Sequence, residues 1–409
     1  MDEWHADRPL RMLAVGNMYP PHHSGGYELV WQAAMGHARA HGHTVRILTS
    51  DYEAAPGRDE QDPDVHRTLR WYWDPSRERF VGQGRLARVW LERHNATELR
   101  RHLDDFRPDV LAWWSMGCMS LSLIEQVRRA GIPGVYVVHD DWLSYGWHND
   151  AWSRTWKDRR ALTSRLAERL CGVPAVVDIG GAGPLVFNSR YTREHARQAG
   201  VDVSGATVVH PGIHERFTAP APPHPWRWRL TYVGRIDRRK GIDTAVAALA
   251  NLPPAATLAV WGTGDEGYAA ELRELARRLG VEERVRFEGF AAADDLPAIY
   301  GAADVVVFPV RWEEPFGLVP LEAMGVARPV VATARGGAAE FLVDGENALL
   351  FPADNAAALA SCIERLAVDE SLRAHLIEGG IRTAAAHTVE RFAELTVMEI
   401  ARAAERRPR

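Results

Sequence analysis

The 409-residue sequence is poor in cysteine, in lysine and in long apolar runs. Its three cysteines, Cys118, Cys171 and Cys362, show neither metal-site spacing nor an even disulfide framework, so we expect a protein of the reducing cytoplasm. No apolar run approaches the length of a membrane span, and the N-terminus lacks a signal-peptide pattern. A net charge of −5 does not favour nucleic-acid binding.

Only two lysines, Lys157 and Lys240, stand among the 49 lysine and arginine residues. Arginine fills nearly every other basic position, so a lysine inside a functional motif needs a chemical reason. An apolar content of 46% suffices for ordinary globular cores, and the length predicts two domains of roughly 200 residues each.

Apolar strand patterns alternate with helical patterns along the whole chain, which predicts parallel, doubly wound α/β sheets. A proline-rich break at 219–225 interrupts the alternation, which restarts at Leu230. We therefore predict an N-terminal domain over 1–212, a linker over 213–228 and a C-terminal domain over 229–387. The final helix, within 388–409, is predicted to return to the first domain.

The stretch from Asp304 to Glu322 reads as a buried strand, a loop and a short helix that opens near Leu318. Glu314 ends the loop and Glu322 lies inside the helix, so two carboxylates flank the free N–H groups of a helix N-terminus. Such a site suits a ligand with hydroxyls at both ends and phosphate between them, as in a nucleotide sugar. An ordinary crossover with two solvated glutamates is the alternative.

A second motif, G-R-I-D-R-R-K-G over 234–241, follows another predicted strand. Arg235 and Lys240 are thereby placed near a second helix N-terminus, where cations and N–H groups both suit phosphates.

The two motifs together resemble glycosyltransferase family 4, a retaining family of GT-B fold, which carries G-R-x-x-x-x-K-G followed by E-P-F-G-x-x-x-x-E-A. The resemblance covers most of the chain. It implies two Rossmann-like domains that face each other across a cleft, and the transfer of a sugar from a nucleoside diphosphate, with UDP the expected carrier, to a small molecule or glycan.

The resemblance also implies roles for individual residues. Arg235 and Lys240 would neutralise the leaving diphosphate, Glu314 would orient the donor sugar, and His139 would reach that sugar from the other domain. Glu322 would hold the ribose. The predicted donor site also includes Gly25, Gly26, Phe290, Phe316, Gly317, Leu318 and Val319.

Several weaker patterns have competing explanations. Gly25 and Gly26 precede a predicted helix and permit positive φ or a close backbone approach, or they form a simple turn. The run G-T-G-D-E-G over 262–267 matches a dinucleotide motif but follows the second strand of its domain, so we do not expect a nicotinamide cofactor. Gly336 and Gly337 match a family turn that we interpret as structural. Ala327 departs from the family, which usually has glycine there.

No metal ion or other cofactor is expected. His22 and His23 have no ligand partner at metal spacing, and Asp62 and Asp64 lie in a polar segment without a predicted strand.

Two aromatic and acidic segments, 71–74 and 140–150, are predicted loops of the first domain. They suit a sugar or a cationic acceptor, or they pack beneath long loops. The predicted acceptor residues are Trp73, Asp140, Asp141, Trp142 and Trp147. The arginine-bearing helix over 84–103 could touch an anionic membrane, but we interpret it as an ordinary surface helix.

The sequence thus predicts a retaining, metal-independent glycosyltransferase. A GT-B epimerase that acts on nucleotide sugars, or a non-catalytic nucleotide-sugar binding protein, is the alternative. Sugar, acceptor and oligomeric state are not predicted.

Overall fold

The computed structural model describes residues 8–22, 25–53, 62–74, 79–80, 84–156, 161–180 and 183–406. By its contacts the chain divides into two compact units. Unit 1 comprises Met1–His210 and Glu390–Arg409, and unit 2 comprises Pro211–Val389. The sequence-based limits, 1–212 and 229–387 with a linker over 213–228, stay a prediction. Residues 219–228 have no regular secondary structure.

The described part of unit 1 contains a parallel sheet and a small antiparallel hairpin. The strands are β1 (Arg11–Gly16), β2 (Thr44–Ser50), β3 (Val65–Leu69), β4 (Trp73–Asp74), β5 (Arg79–Phe80), β6 (Val110–Trp113), β7 (Gly134–Val138), β8 (Leu185–Phe187) and β9 (Thr207–Val208). The parallel sheet has the order β3-β2-β1-β6-β7-β8-β9, and β4 pairs with β5.

Helices connect these strands, as expected for parallel crossovers. They are α1 (Gly26–Ala40), α2 (Arg85–Phe106), α3 (Ser122–Arg129), α4 (Trp142–Asn149), α5 (Ala151–Trp156), α6 (Ala161–Cys171) and α7 (Arg190–Gln198). The last helix of the chain, Val389–Glu405, lies almost wholly in the stretch assigned to unit 1.

Two of the sequence-based assignments in unit 1 were wrong. The segment 140–150 is largely the helix α4 rather than a loop, because its apolar side chains Trp142 and Leu143 are buried in the core. The acidic segment at Asp62 and Asp64 does have a strand beside it, since β3 begins at Val65. Strand β3 has one apolar residue at each end, so the sequence shows no recognisable alternation of apolar and polar residues there.

The described part of unit 2 contains a second parallel sheet. Its strands are β10 (Arg229–Val233), β11 (Thr257–Trp261), β12 (Val285–Gly289), β13 (Val305–Phe308), β14 (Val330–Ala332) and β15 (Leu349–Leu350), in the order β12-β11-β10-β13-β14-β15. The helices are α8 (Ile242–Ala248), α9 (Glu266–Arg278), α10 (Leu296–Ala302), α11 (Leu318–Gly325), α12 (Ala356–Val368) and α13 (Glu370–Ala386), and α14 is the helix Val389–Glu405.

The burial of strand β13 on both faces of the sheet explains why its sequence is apolar throughout. Val305 and Val307 enter the core on one face of the sheet, with α8, α9 and α12. Val306 and Phe308 enter the core on the other face, with α11. Both faces of a parallel strand are buried, so the usual apolar and polar alternation is absent. No helix in the described ranges has the length and apolarity needed to cross a lipid bilayer.

Candidate active site

Both sequence motifs of unit 2 lie at the point where its strand order reverses. The order runs from β10 outward through β11 to one edge and through β13 to the other. Ligands of open α/β sheets bind at this switch point, outside the carboxyl ends of the strands. The loop after β10 carries Arg235 and Lys240, and the loop after β13 carries Glu314. The topology therefore brings the two motifs together.

Lys240 and Glu314 form a direct ion pair. The distance from Lys240 Nζ to Glu314 Oε2 is 2.7 Å, and the side chains are only 15% and 13% exposed. Trp312 Nε1–H donates to the same carboxylate oxygen at 2.7 Å. The Trp312 ring also lies under the Lys240 ammonium, 5.3 Å from its centre. The carboxylate is thus held in one place by an ammonium and an indole, both of which contact Oε2.

Glycines make this arrangement possible by letting backbone segments touch. Gly241 has φ +68, and a Cβ there would lie 2.0 Å from the carbonyl oxygen of Pro309. Gly336 has φ +63, and its Cβ would lie 2.3 Å from the carbonyl oxygen of Glu314. The Gly337 N–H donates to that oxygen at 2.7 Å. The glycine pair therefore supports the backbone of Glu314.

Arg235 is the more open of the two predicted phosphate-binding cations. Its side chain is 56% exposed, and its guanidinium lies 3.9 Å from the Asp237 carboxylate. Tyr232 Oη–H donates to the Arg235 carbonyl oxygen at 2.9 Å, which fixes the loop from below. An exposed guanidinium on a braced loop can reach an incoming anion without breaking a buried contact.

The glycines of the dinucleotide-like run 262–267 lie against the backbone of the loop after β10. A Cβ at Gly262 would lie 1.9 Å from the carbonyl oxygen of Gly234, and one at Gly264 would lie 2.3 Å from that of Ile236. Ile236 and Gly264 form a parallel bridge. These glycines let the 262–264 loop pack closely against the loop of Arg235.

Glu322 lies one turn into α11 and is paired with a tyrosine. Tyr300 Oη–H donates to Glu322 Oε2 at 2.6 Å, and burial raises the pKa of the Glu322 carboxyl. Gly317, with φ +91, precedes the helix, and the first N–H groups of α11, at Leu318 and Val319, have no partner within the helix. Glu314, the N-terminus of α11 and Glu322 thus follow one another along this loop and helix, and their joint role in donor binding stays a prediction.

Two further predicted donor residues differ in exposure. Phe316 is buried in the core beside α11, where its ring packs 5.1 Å from that of Phe341. Phe290 follows β12, is 66% exposed, and lines a cavity of about 410 Å³ together with Trp261 and Glu288. Phe316 therefore supports the helix start, while Phe290 offers an accessible ring.

In unit 1 the strand order reverses between β1 and β6, and a polar cluster lies there. Ser115 Oγ–H donates to Asp140 Oδ2 at 3.1 Å, and Tyr145 Oη–H lies 3.4 Å from the same oxygen. A Cβ at Gly117 would lie 2.4 Å from the Tyr145 hydroxyl. Asn17 Nδ2–H donates to the Gly117 carbonyl oxygen at 3.1 Å. Burial raises the pKa of the Asp140 carboxyl to about 6.

The His139 imidazole is neutral and lies between two aromatic rings. Its ring stacks on Tyr27 with 4.7 Å between centres, and the edge of Phe392 lies 5.3 Å away. Burial lowers the pKa of His139 to about 3. No described residue hydrogen-bonds the ring nitrogens, so the imidazole can act as a neutral donor or acceptor for a ligand.

The predicted acceptor residues are not equivalent. Trp142 is completely buried in the unit 1 core, so its ring offers no face to a ligand, and that part of the prediction was wrong. Trp147 and Trp73 are half-buried, the latter with its ring 5.1 Å from that of Phe80. Asp141 is half-buried and lies 3.9 Å from His195 Nε2.

The predicted glycine pair before α1 has no special backbone conformation. Gly25 is extended, with φ −163, and Gly26 is the first helical residue. The Gly25 N–H donates to Glu28 Oε2 at 3.0 Å. Positive φ was therefore a wrong expectation, and a Cβ at Gly25 would lie in ordinary contact with Glu28 Oε2, at 3.8 Å. His22 is buried, His23 lies outside the described residues, and the described residues contain no cluster of metal-ligand side chains.

Four residues of these clusters were not found by sequence reasoning: Asn17, Ser115, Tyr300 and Trp312. Only Trp312 carried a signal, since it stands two residues before Glu314. Ala327 adopts φ +61, so the turn expected to need glycine is retained with alanine.

Solved structures with the same architecture define the class of protein. HepE of Anabaena, in complex with UDP and glucose, matches with a TM-score of 0.70 at 22% identity over 95% of this chain and 98% of its own. Sucrose-phosphate synthase of Thermosynechococcus elongatus matches with a TM-score of 0.69 at 23% identity, over 96% and 98%. The predicted GT-B fold class is confirmed.

Family models identify the group within this class. The model described as Glycosyltransferase Family 4 matches residues 24–217, and the model described as Glycosyl transferases group 1 matches residues 222–383. Together they span most of the chain, which belongs to glycosyltransferase family 4. A D-inositol 3-phosphate glycosyltransferase of Streptomyces bingchenggensis is 33% identical over 56% of this chain and 53% of its own length. The chain thus matches about half the length of such curated relatives.

Proposed function

We propose that the protein transfers a sugar from a nucleoside diphosphate, with UDP the favoured carrier, to a hydroxyl group of a polar acceptor with retention of anomeric configuration. The observation that carries the proposal is the ion pair of Lys240 and Glu314 at the switch point of unit 2. Family membership supports it, as do the UDP and UDP-glucose of the HepE complexes.

The bond changes follow from the charges in unit 2. The bond between the anomeric carbon and the diphosphate oxygen breaks, and Arg235 and Lys240 neutralise the charge that grows on that oxygen. When the diphosphate arrives, Lys240 exchanges its contact with Glu314 for phosphate oxygens. The freed carboxylate can then orient sugar hydroxyls and stabilise the positively charged sugar. Helix N–H groups at Leu318 and Val319 bind the diphosphate.

The acceptor oxygen forms the new bond on the face from which the diphosphate leaves. Its proton passes to the departing phosphate oxygen, so no separate base is needed and configuration is retained. His139, neutral because of burial, supplies a hydrogen bond to the sugar without adding charge. No metal ion is needed in this scheme, since two cations already face the diphosphate.

The proposed acceptor is rich in hydroxyl groups, such as a cyclitol, a glycan or a polar natural product. The strand-end cluster of Asp140, Ser115 and Tyr145 supports this, because a carboxylate and hydroxyls bind polyols well. The relatives named as D-inositol 3-phosphate glycosyltransferases make phosphorylated cyclitols a natural first panel.

Two measurements test the proposal in sequence. A thermal-shift screen of nucleotide sugars identifies the donor, since a ligand at about 100 times its Kd stabilises by about 2.7 kcal/mol. Release of nucleoside diphosphate is then followed with and without acceptors, in the presence of excess chelator. Acceptor-dependent release that survives chelation, with retained configuration by NMR, is expected. Epimerisation of the donor without release would overturn the transferase.

A further inference from the structure

An ion pair outside the two sequence motifs links the loops that carry the candidate site. Arg311 lies in the loop after β13, shortly before Glu314, and Asp243 lies in the first turn of α8, which follows the loop of Lys240. Arg311 Nη2 lies 2.8 Å from Asp243 Oδ1 and 2.9 Å from Asp243 Oδ2. The two side chains are only partly exposed. The sequence analysis singled out neither residue.

Neighbouring groups hold this ion pair in place. Tyr268 Oη–H of α9 donates to Asp243 Oδ1 at 2.8 Å, and the Asp354 carboxylate lies 2.7 Å from Arg311 Nη2. The backbone N–H of Arg311 donates to the Arg239 carbonyl oxygen at 2.9 Å. Arg311 therefore contacts the loop after β10 through its main chain and α8 through its side chain. We call the ion pair of Arg311 and Asp243 the loop clamp.

The charge of Arg311 is already balanced, which makes this residue a poor ligand for a diphosphate. Two carboxylates, those of Asp243 and Asp354, share its guanidinium. Arg235, by contrast, has a carboxylate at 3.9 Å as its nearest partner among the described residues. A guanidinium held by two carboxylates would lose both contacts on reaching for an anion, and that loss opposes the exchange. The geometry thus favours a link between loops over a third phosphate-binding cation.

We propose that Arg311 and Asp243 are positioning residues, which keep Lys240 and Glu314 in register while the donor binds. The inference rests on the proposed function, in which Lys240 leaves Glu314 for the phosphate oxygens. That exchange removes one link between the two loops. The loop clamp contains neither group and persists through the exchange. A displacement of about 1 Å can cost about 100-fold in rate, so the persisting link maintains the geometry for transfer.

Arg311→Met removes the charge of the clamp and keeps an unbranched side chain. With the donor and acceptor selected under the proposed function, we expect kcat to fall about tenfold or more, because the loops lose their register. The Kd of UDP, measured by calorimetry, should change by less than about threefold, because Arg235 and Lys240 remain together on one loop. A larger change in the Kd of UDP than in kcat would make Arg311 a diphosphate ligand and overturn its positioning role.

Arg311→Lys should restore most of the activity. Every side-chain hydrogen bond and ion pair of Arg311 within the described ranges passes through Nη2, so one ammonium can take the place of that nitrogen. We expect a kcat within about threefold of the wild-type value. An equal loss of kcat in Arg311→Lys and Arg311→Met would overturn the clamp.

Arg284→Met is the matched control for a purely structural arginine of unit 2. Arg284 donates to the carbonyl oxygens of Ala256 at 2.8 Å and Leu249 at 2.7 Å. These contacts lie near the starts of β11 and β12, whereas the two loops of the site follow the ends of β10 and β13. We expect a lower melting temperature with kcat within about twofold of wild type. The same loss of kcat as in Arg311→Met would reduce the clamp to a general effect of stability and overturn it.

A double-mutant cycle tests whether the two residues act as a pair. Asp243→Asn is expected to lower kcat, because the guanidinium loses the carboxylate that it contacts on α8. In the Asp243→Asn background, Arg311→Met should lower kcat by less than about twofold more, since the link is already broken. A full additive loss would show that Arg311 and Asp243 act independently, which would overturn the clamp.

Hydrogen exchange of the full chain without nucleotide tests the clamp independently of activity. Two ion pairs join the loops, so loss of either should speed amide exchange in 237–243 and 309–317 only slightly. The double variant K240M/R311M should speed it by more than the two single changes combined. No effect of Arg311→Met in either background would overturn the clamp alone. A wild-type protein that transfers no sugar would overturn the proposed function, and the positioning role with it, whatever the exchange rates.

Discussion

Lys240 and Glu314 lie 74 residues apart in the sequence, yet their side chains meet at 2.7 Å. This contact joins the two sequence motifs into one site. It also holds the only lysine of unit 2 against the carboxylate that we assign to the donor sugar. In the proposed reaction the diphosphate competes for the ammonium, so donor binding and release of Glu314 would be linked.

Lys240→Arg is expected to lower kcat about a hundredfold or more while changing donor Kd little. The ammonium is enclosed between Glu314 and the Trp312 ring, and a planar guanidinium with fork geometry does not fit there as a point charge. Arg239→Lys is the matched control, because that neighbouring side chain is 50% exposed and should tolerate the exchange. A kcat near the wild-type value in folded Lys240→Arg would remove Lys240 from the phosphate site.

Gly336→Ala is expected to impair turnover by displacing Glu314. Its Cβ would lie 2.3 Å from the Glu314 carbonyl oxygen and 2.6 Å from the Glu314 nitrogen, so the backbone must shift. Gly345→Ala separates the effect of a positive φ from that of a close backbone contact, since Gly345 has φ +74 but open space around it. Gly36→Ala, in the middle of α1 with open space, should be neutral or stabilising by about 1 kcal/mol. Melting curves and kcat are measured together, and full activity in folded Gly336→Ala would contradict the support of Glu314.

The acceptor kcat/KM is expected to fall as pH drops through about 6. The pKa of Asp140 is raised by burial to about 6, so its carboxylate accepts hydrogen bonds above that pH and is protonated below it. Asp140→Asn should remove this limb of the pH profile and raise the acceptor KM at pH 8. Asp141→Asn serves as the neighbouring control. If the acidic limb of the pH profile persists unchanged in Asp140→Asn, the limb belongs to another titrating group.

Trp142→Ala and Trp147→Ala should behave differently although both were predicted to contact the acceptor. Trp142 is completely buried, so its truncation is expected to destabilise the protein by about 3–5 kcal/mol. Trp147 is half-buried, and its truncation should raise the acceptor KM with a smaller loss of stability. Chemical denaturation and acceptor kinetics distinguish the two. An unchanged acceptor KM in Trp147→Ala would remove this segment from the acceptor site.

Much of the fold could be predicted because parallel α/β sheets leave a strong local pattern. The predicted starts at Leu230 and Asp304 lie within one residue of the starts of β10 and β13. The strands β3 and β15 were missed, since the former is mostly half-buried and the latter has two residues. The helix α4 was mistaken for a loop, because its periodicity of buried residues covers barely two turns.

The sequence by itself determined the family, the alternation of strands and helices, and the two motifs that bear the cations and carboxylates. These are properties of residue type and spacing along a single stretch. Only the tertiary structure decided that Lys240 contacts Glu314, that Gly336 supports the backbone of Glu314, and that Trp142 is buried. Each of these depends on the order of strands in a sheet or on the packing of helices. Such contacts between distant residues leave no periodicity in the chain.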